Sequence, residues 1–188
     1  MSELLQRLRN ALPQVQGWIN QLLAAHAGSA STIDVQRFGR LPDYLPSHVL
    51  HAARFVVVER TPFPPVSQLG VPEFERMESM AMGGITFGQT YFLTPDHAAD
   101  EGTHLHELIH TIQWSELGVR DFLLTYGLGL AMFGYEQSPL ESVAYSVQES
   151  FARAEQINDL EQYVRDHALQ TRSHAKFIFA SNQVTWDA

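Results

Sequence analysis

Apolar positions recur at helical spacing along the first stretch of the chain. Leu4, Leu5, Leu8, Leu12, Val15, Ile19, Leu22 and Leu23 mark one face of a helix over Ser2 to Ala27. Pro13 lies inside this run and predicts a kinked helix or two short ones. Gly28 to Ser31 is a turn or short linker, after which Ile33 to Phe38 alternates apolar and polar, as in a half-buried strand. Leu41 to Pro46 is a proline-bounded loop, Ser47 to Ala53 a short helix capped by Ser47, and Phe55 to Val58 a buried strand. Pro62, Pro64, Pro65 and Pro72 make Thr61 to Pro72 a loop that cannot pair as a central strand; a surface crossover is favoured over a substrate-recognition loop. Phe74 to Met82 predicts a short helical turn, with Met77, Met80 and Met82 filling gaps in the core. Gly83 and Gly84 open the segment Ile85 to Leu93, which predicts two short antiparallel strands around Gly88-Gln89 or one strand bent there. An ordinary core hairpin is favoured over an edge for an added peptide strand, and the two faces of one strand permit both.

The pattern becomes helical from Thr103 onward. Thr103 to Leu117 has Thr103 as a plausible N-cap and Gly118 as a natural stop. Val119 to Tyr135 is apolar nearly all round, which predicts a buried helix, with Gly127, Gly129 and Gly134 permitting close approach of a neighbour. This stretch is too short and too interrupted for a membrane span. Ser138 and Pro139 suit the N-cap and first position of a further helix through Ala154, breaking near Asn158-Asp159 and resuming to about Gln170. The tail, Lys176 to Ala188, carries Phe177, Ile178, Phe179, Val184 and Trp186 and is expected to pack back on the rest. The sum is an α+β domain over residues 1–188: a small sheet, a mostly helical C-terminal half, and a helical N-terminal extension over 1–30.

Composition narrows the chemistry. Of 188 residues, 45% are hydrophobic and 11% aromatic, which is globular and not disordered. The net charge of −9 argues against nucleic acid or an anionic membrane as a partner. With no cysteine, disulfides, thiolate metal sites and cysteine nucleophiles are excluded, so any metal site must use His and carboxylate. The charged, amphipathic start lacks a signal-peptide apolar core, and the cytoplasm is the expected compartment.

One stretch organises the rest: His106-Glu107-Leu108-Ile109-His110, an H-E-x-x-H run. Residues four apart on a helix are rotated by about 40°, so both imidazoles project from one face and can take one Zn²⁺. Glu107 lies at the edge of that face, placed to deprotonate a metal-activated water without binding the metal. Leu105, Leu108, Ile109 and Ile112 give the helix its apolar side.

A catalytic zinc site takes a third protein ligand. Glu141 is the choice, because the helix Val119 to Tyr135 reverses the chain and returns the next helix start to the metal helix. A rival role for the same residue is specific: Ser138-x-x-Glu141 is also a capping box. Glu136 is the runner-up ligand. His104 points to another face, His97 comes from a preceding loop with nothing to fix it, and His167 and His174 lie among polar residues and are expected in solvent. Tyr145, one turn after Glu141, is first a packing tyrosine and second a donor to a developing oxyanion; Tyr135 has a weaker claim. Gln113 extends the metal face and is expected to hydrogen-bond to a ligand, while Trp114 packs.

The run His106 to Gln113 resembles the H-E-L-x-H-x-x-Q signature of small bacterial zincin-like metallopeptidases, including the domain assigned as a peptidase in proteins of extracellular contractile injection systems. Pro139-Leu140-Glu141-x-x-Ala144-Tyr145 is similar to the downstream glutamate segment of gluzincin-type proteins. The resemblance covers roughly residues 84–150. It implies a zincin fold, His106, His110 and Glu141 as zinc ligands, Glu107 as general base, and hydrolysis of a peptide or protein substrate. Thermolysin-like gluzincins carry an aspartate four residues after the ligand glutamate; Tyr145 stands there, which leaves the group that orients His106 unassigned. A zincin-like binding module without catalysis and a zinc amidohydrolase acting on a non-peptide substrate are the alternatives.

Overall fold

The computed structural model describes residues 1–187, an α+β arrangement of one small mixed sheet and helices. Helix α1 (Ser2–His26) is continuous, with Pro13 inside it, and not two short helices. Its apolar stripe, Leu5, Leu8, Ala11, Val15 and Ile19, is buried, and this packing outweighs the one hydrogen bond that the proline removes.

Strand β1 is only Ser31–Thr32. The strand expected over Ile33 to Phe38 is instead a turn, and Asp34 is the cause. Its side chain accepts from Gln36 N at 3.0 Å, and its carbonyl accepts from Arg37 N at 3.0 Å and Phe38 N at 2.9 Å. These local bonds out-compete strand pairing and bury Ile33 and Phe38 while Val35 stays exposed. Helix α2 (Ser47–Ala52) is capped by position and not by a side chain: Pro46 is the N-cap, and Ser47 is the first helical residue.

Strands β2 (Arg54–Val57), β3 (Gly84–Phe87) and β4 (Thr90–Leu93) complete the sheet, in the order β1-β2-β4-β3. The β3–β4 pair is the expected hairpin, with Gly88 at φ 63° in its turn, and β2 runs parallel to β4. Both faces of β4 are buried. Tyr91 and Leu93 join Leu105, Leu108 and Ile109 on one side, and Phe92 joins the α1 stripe on the other. The sheet is therefore sandwiched, and β4 reads as a continuous apolar run. Helix α3 (Glu75–Ser79) is the expected short turn before β3. The proline-rich loop is not a surface crossover: Thr61, Pro64, Val66 and Val71 are buried, the last two within the α1 cluster.

Helix α4 (Glu101–Phe133) holds both predicted helices, joined across Gly118 at φ 71°, ψ 166°. Its N-cap is Asp100 and not Thr103; the Asp100 carboxylate accepts from Thr103 N at 2.9 Å and Gly102 N at 3.3 Å. Helices α5 (Pro139–Ala152) and α6 (Leu160–Ser181) pack against α4. The break between them falls where expected, with Ala154 and Asp159 at positive φ. Helix α6 continues well past Gln170, taking in the front of the predicted tail. The rest of the tail folds back: Trp186 donates to Asp121 Oδ1 at 2.8 Å and packs on Phe179, while Phe177 stays in solvent. Ala188 lies outside the described residues. Among the described residues, no helix is long and apolar enough to cross a membrane.

Candidate metal centre

The first half of α4 and the start of α5 meet at the site. That half of α4 aims Leu105, Leu108 and Ile109 into the core beside the sheet, which turns His106 and His110 toward α5. The chain reverses through the second half of α4, and α5 starts with Glu141 in its first turn, facing both imidazoles. His106, His110 and Glu141 are all buried, with ligand atoms within 4.8 Å of one another. Such a cluster can hold a metal ion.

The separations test that fit. His106 Nε2 and His110 Nε2 are 3.2 Å apart; Glu141 Oε2 is 3.3 Å from His106 Nε2, and Glu141 Oε1 is 3.4 Å from His110 Nε2. A tetrahedron with arms of about 2.0–2.1 Å has edges of about 3.3–3.4 Å. The outer ring nitrogens are already occupied. His106 Nδ1 lies 3.2 Å from Gln148 Oε1, and His110 Nδ1 lies 2.8 Å from Gln113 Oε1. An amide oxygen only accepts, so each Nδ1 carries the proton and each Nε2 lone pair points inward. Two lone pairs and a carboxylate converge, and Glu141 Oε2 is buried without a hydrogen-bond donor. That arrangement calls for a cation.

With protons as the only cations, the cluster competes for them. Burial pulls His110 down, but the Glu141 carboxylate, by charge and hydrogen bond, and Glu107 more than reverse this, pushing His110 up to about 9. Burial pushes Glu141 up, and the two imidazoles outweigh it, holding Glu141 well below the usual carboxylate range. The capping box is not formed: the Ser138 hydroxyl makes no cap bond, and the Glu141 carboxylate is spent on the histidines.

Glu107 stands beside the three ligands and outside them. Thr86 of β3 donates to its Oε2 at 2.6 Å, and burial, partly offset by His106, His110 and that bond, raises its pKa. Gly84 makes room for it: a β-carbon there would stand 2.8 Å from the Glu107 carboxyl carbon. Glu107, His106, Tyr145, Gln148 and His97 line a polar cleft of about 300 Å³.

The other candidates fall as follows. Gln113 bonds His110 as expected and also donates to Leu140 O at 3.0 Å, tying the metal helix to the start of α5. Trp114 packs, stacked on Phe122 at 4.0 Å. Glu136 is exposed and outside the cluster. His104 is neither solvated nor near the site; it is fully buried, taking a hydrogen bond from Tyr91 at 2.6 Å and donating to Ala98 O at 3.2 Å. His167 is half-buried, with burial lowering its pKa, and His174 is exposed. Tyr145 packs edge-on against His106 at 4.6 Å, and Tyr135 lies beside it at 6.4 Å.

Two residues escaped the sequence. Gln148 orients His106, the role that the Tyr145 position left open; it lies seven residues after Glu141, two turns along the same face of α5. Tyr126 donates to Glu141 Oε1 at 2.5 Å, its phenol held protonated by burial and by the Glu141 charge. A stack of Trp114, Phe122 and Tyr126 carries it there across the Gly118 break. No family model, curated protein or solved structure matches the chain.

Proposed function

We propose that the chain is a zinc-dependent metallopeptidase of zincin-like fold, hydrolysing peptide bonds with Glu107 as general base. The observation that carries this reading is the His106–His110–Glu141 cluster, with edges of a zinc-sized tetrahedron and a separate buried carboxylate beside it. His₂Glu sites of this composition are catalytic zinc sites. Bound zinc supplies a Lewis acid and lowers the pKa of water. His106, His110 and Glu141 hold the ion, oriented by Gln148, Gln113 and Tyr126 respectively. Glu107, fixed by Thr86, takes a proton from the attacking water and returns it to the leaving amine nitrogen. A raised pKa suits both halves of that task.

A peptide is the favoured substrate because of the sheet edge. Strand β3 ends the sheet order, and Gly83-Gly84 at its start line the cleft. An extended chain laid along that edge brings a backbone carbonyl past the metal centre. The test is metal content by elemental analysis, followed by peptide-library screening, for wild type, His106→Ala and Glu107→Gln. About one zinc per chain is expected in wild type and in Glu107→Gln, with zinc lost in His106→Ala and turnover lost in Glu107→Gln by about 10²–10⁴-fold. Retained hydrolysis in a clean Glu107→Gln preparation sinks the mechanism, and tightly bound zinc with no cleavage of any peptide returns the chain to a binding module or to non-peptide amides.

A further inference from the structure

The second half of α4 has a space on either side. An apolar pocket, walled by α1, the proline-rich loop, the β3–β4 hairpin and α4, reaches Glu107, His110 and Glu141 and belongs to the metal centre. On the other side a cavity of about 390 Å³ lies between α4, the start of α5 and α6, and none of those three residues lines it. Its size is that of a small-molecule site, about 300–1,000 Å³. Met132 and Phe133 of α4, both exposed, and Ile178 of α6 give it apolar walls, while His167, Gln170 and Thr171 of α6 give it a polar one. None of its wall residues is Asp, Glu, Lys or Arg. Arg172 and Lys176, on the same helix, pair instead with Asp121 at 3.5 and 3.6 Å. Burial lowers the His167 pKa, so that imidazole is neutral at neutral pH. On the α4 wall, Thr125 is 2% exposed, and its hydroxyl oxygen has no hydrogen-bond partner among the described residues. A helical threonine often spends that hydroxyl on the carbonyl one turn back.

We infer that this cavity binds an uncharged aromatic molecule of about two fused rings, and that its occupation tightens the metal centre. Chemistry fixes the class. An ion seated there would lose water and meet no counter-charge. A ring meets the Met132 thioether and the Phe133 face, and a polar substituent meets Gln170 and Thr171. Volume fixes the size: a cavity of about 150 Å³ holds a benzene, so about 390 Å³ admits two rings and a substituent. Position fixes the consequence. Pro139, a wall residue, opens α5 two residues before Glu141. Thr125, on the opposite wall, precedes Tyr126, whose phenol donates to Glu141. A β-carbon at Gly129 would stand 3.2 Å from Pro139 Cδ, so α4 and the start of α5 already touch closely at this wall. A molecule that braces α4, α5 and α6 there favours the arrangement in which Glu141 faces the two imidazoles. Zinc and the molecule then strengthen each other by the same factor. This coupling rests on zinc binding at His106, His110 and Glu141 and not on peptide hydrolysis.

The test uses the full chain and three probes with one ring system: indole acetamide, which is neutral, indole acetate, an anion, and tryptamine, a cation. The amide should raise the Tm of the zinc-loaded protein saturably, and the two charged probes should bind at least about 10-fold more weakly. Thr171→Phe fills the cavity from a half-buried position on α6 and should abolish the shift. Gln170→Ala, at an exposed position that spares the fold, should weaken the amide by about threefold or more. In a zinc titration of the metal-free chain, saturating amide should lower the zinc Kd by about fivefold or more in wild type and leave it unchanged in Thr171→Phe. No saturable shift in wild type, equal binding of all three probes, or an undiminished shift in both variants overturns the inference. Amide binding that leaves the zinc Kd of wild type unchanged overturns the coupling, while the metallopeptidase reading stands. A wild type that binds the amide and no zinc removes the metal reading, and the coupling with it.

Discussion

On the metallopeptidase reading proposed above, Gly84→Ala separates the placement of Glu107 from the binding of metal. Glycine at 84 is not required by its backbone, since its φ lies outside the left-handed region; it is required by space. A methyl carbon there would stand 2.8 Å from the Glu107 carboxyl carbon, closer still to Oε1, and 3.0 Å from Leu93 Cδ2. Ordinary contact begins at 3.4 Å, so the carboxyl carbon must retreat by at least about 0.6 Å (3.4 less 2.8) and Oε1 by more. The atoms in the way are the far ends of flexible side chains, so the fold survives, at a cost of about 1–2 kcal/mol for mild overpacking. The Glu107 carboxylate does not stay in place. Its 2.6 Å bond from Thr86 fixes it now, and a displacement near 1 Å breaks that bond. A misplacement of about 1 Å costs on the order of 100-fold in rate. The three atoms nearest the new methyl belong to Glu107 and Leu93, and none belongs to His106, His110 or Glu141. The expected result is one zinc per chain by elemental analysis, a Tm within a few degrees of wild type, and kcat lowered about 100-fold with KM little changed. Zinc retained with kcat within about threefold of wild type would refute the argument, because Glu107 would then be free to sit elsewhere or would not be the base.

Three further outcomes follow from the same geometry. Glu141→Ala should weaken zinc binding by at least about 10-fold in a metal titration, and Glu136→Ala should leave it unchanged because that side chain is exposed and outside the cluster; the opposite ranking moves the third ligand. Tyr126→Phe and Gln148→Ala should each weaken zinc by about 10-fold or more, since each removes the group that orients a ligand, and unaltered affinity in both would make those hydrogen bonds incidental. In the metal-free protein His110 is pushed up to about 9, so it holds a proton at neutral pH that a metal must expel. Apparent zinc affinity should therefore rise about tenfold per pH unit up to about pH 9 and level off above it. Calorimetry in two buffers of different ionisation enthalpy measures the released proton directly, and identical binding heats in both would contradict it.

What the sequence made legible, and what it hid, divides along a physical line. Elements set by periodicity were readable: α1, the β3–β4 hairpin, and both halves of α4 follow from apolar spacing and from Gly88 and Gly118. The pairing of His106 with His110 follows from helix geometry alone. Glu141 needed only a chain reversal, which the second half of α4 supplies. What stayed hidden depends on local competition or on long-range contact. Asp34 turns the chain where alternation promised a strand, because its bonds to residues 36 to 38 form without any partner strand. Asp100 takes the cap from Thr103 by reaching two backbone donors at once.

The same division explains the site. A ligand set can be written in one dimension, because two histidines four apart share a helix face wherever that helix goes. The groups that aim the ligands cannot. Gln148 reaches His106 only because α5 crosses α4 at that register, and Tyr126 reaches Glu141 only because the aromatic stack bridges the Gly118 break. Nothing in their types or spacing marks them before the helices dock. The apolar pocket is the extreme case: its walls come from α1, the proline-rich loop, the hairpin and α4, and each wall residue is an unremarked apolar position in its own element. Chemistry that repeats along a helix is therefore legible in the motif, while every group that a neighbouring element brings to the site becomes legible only once the elements have packed.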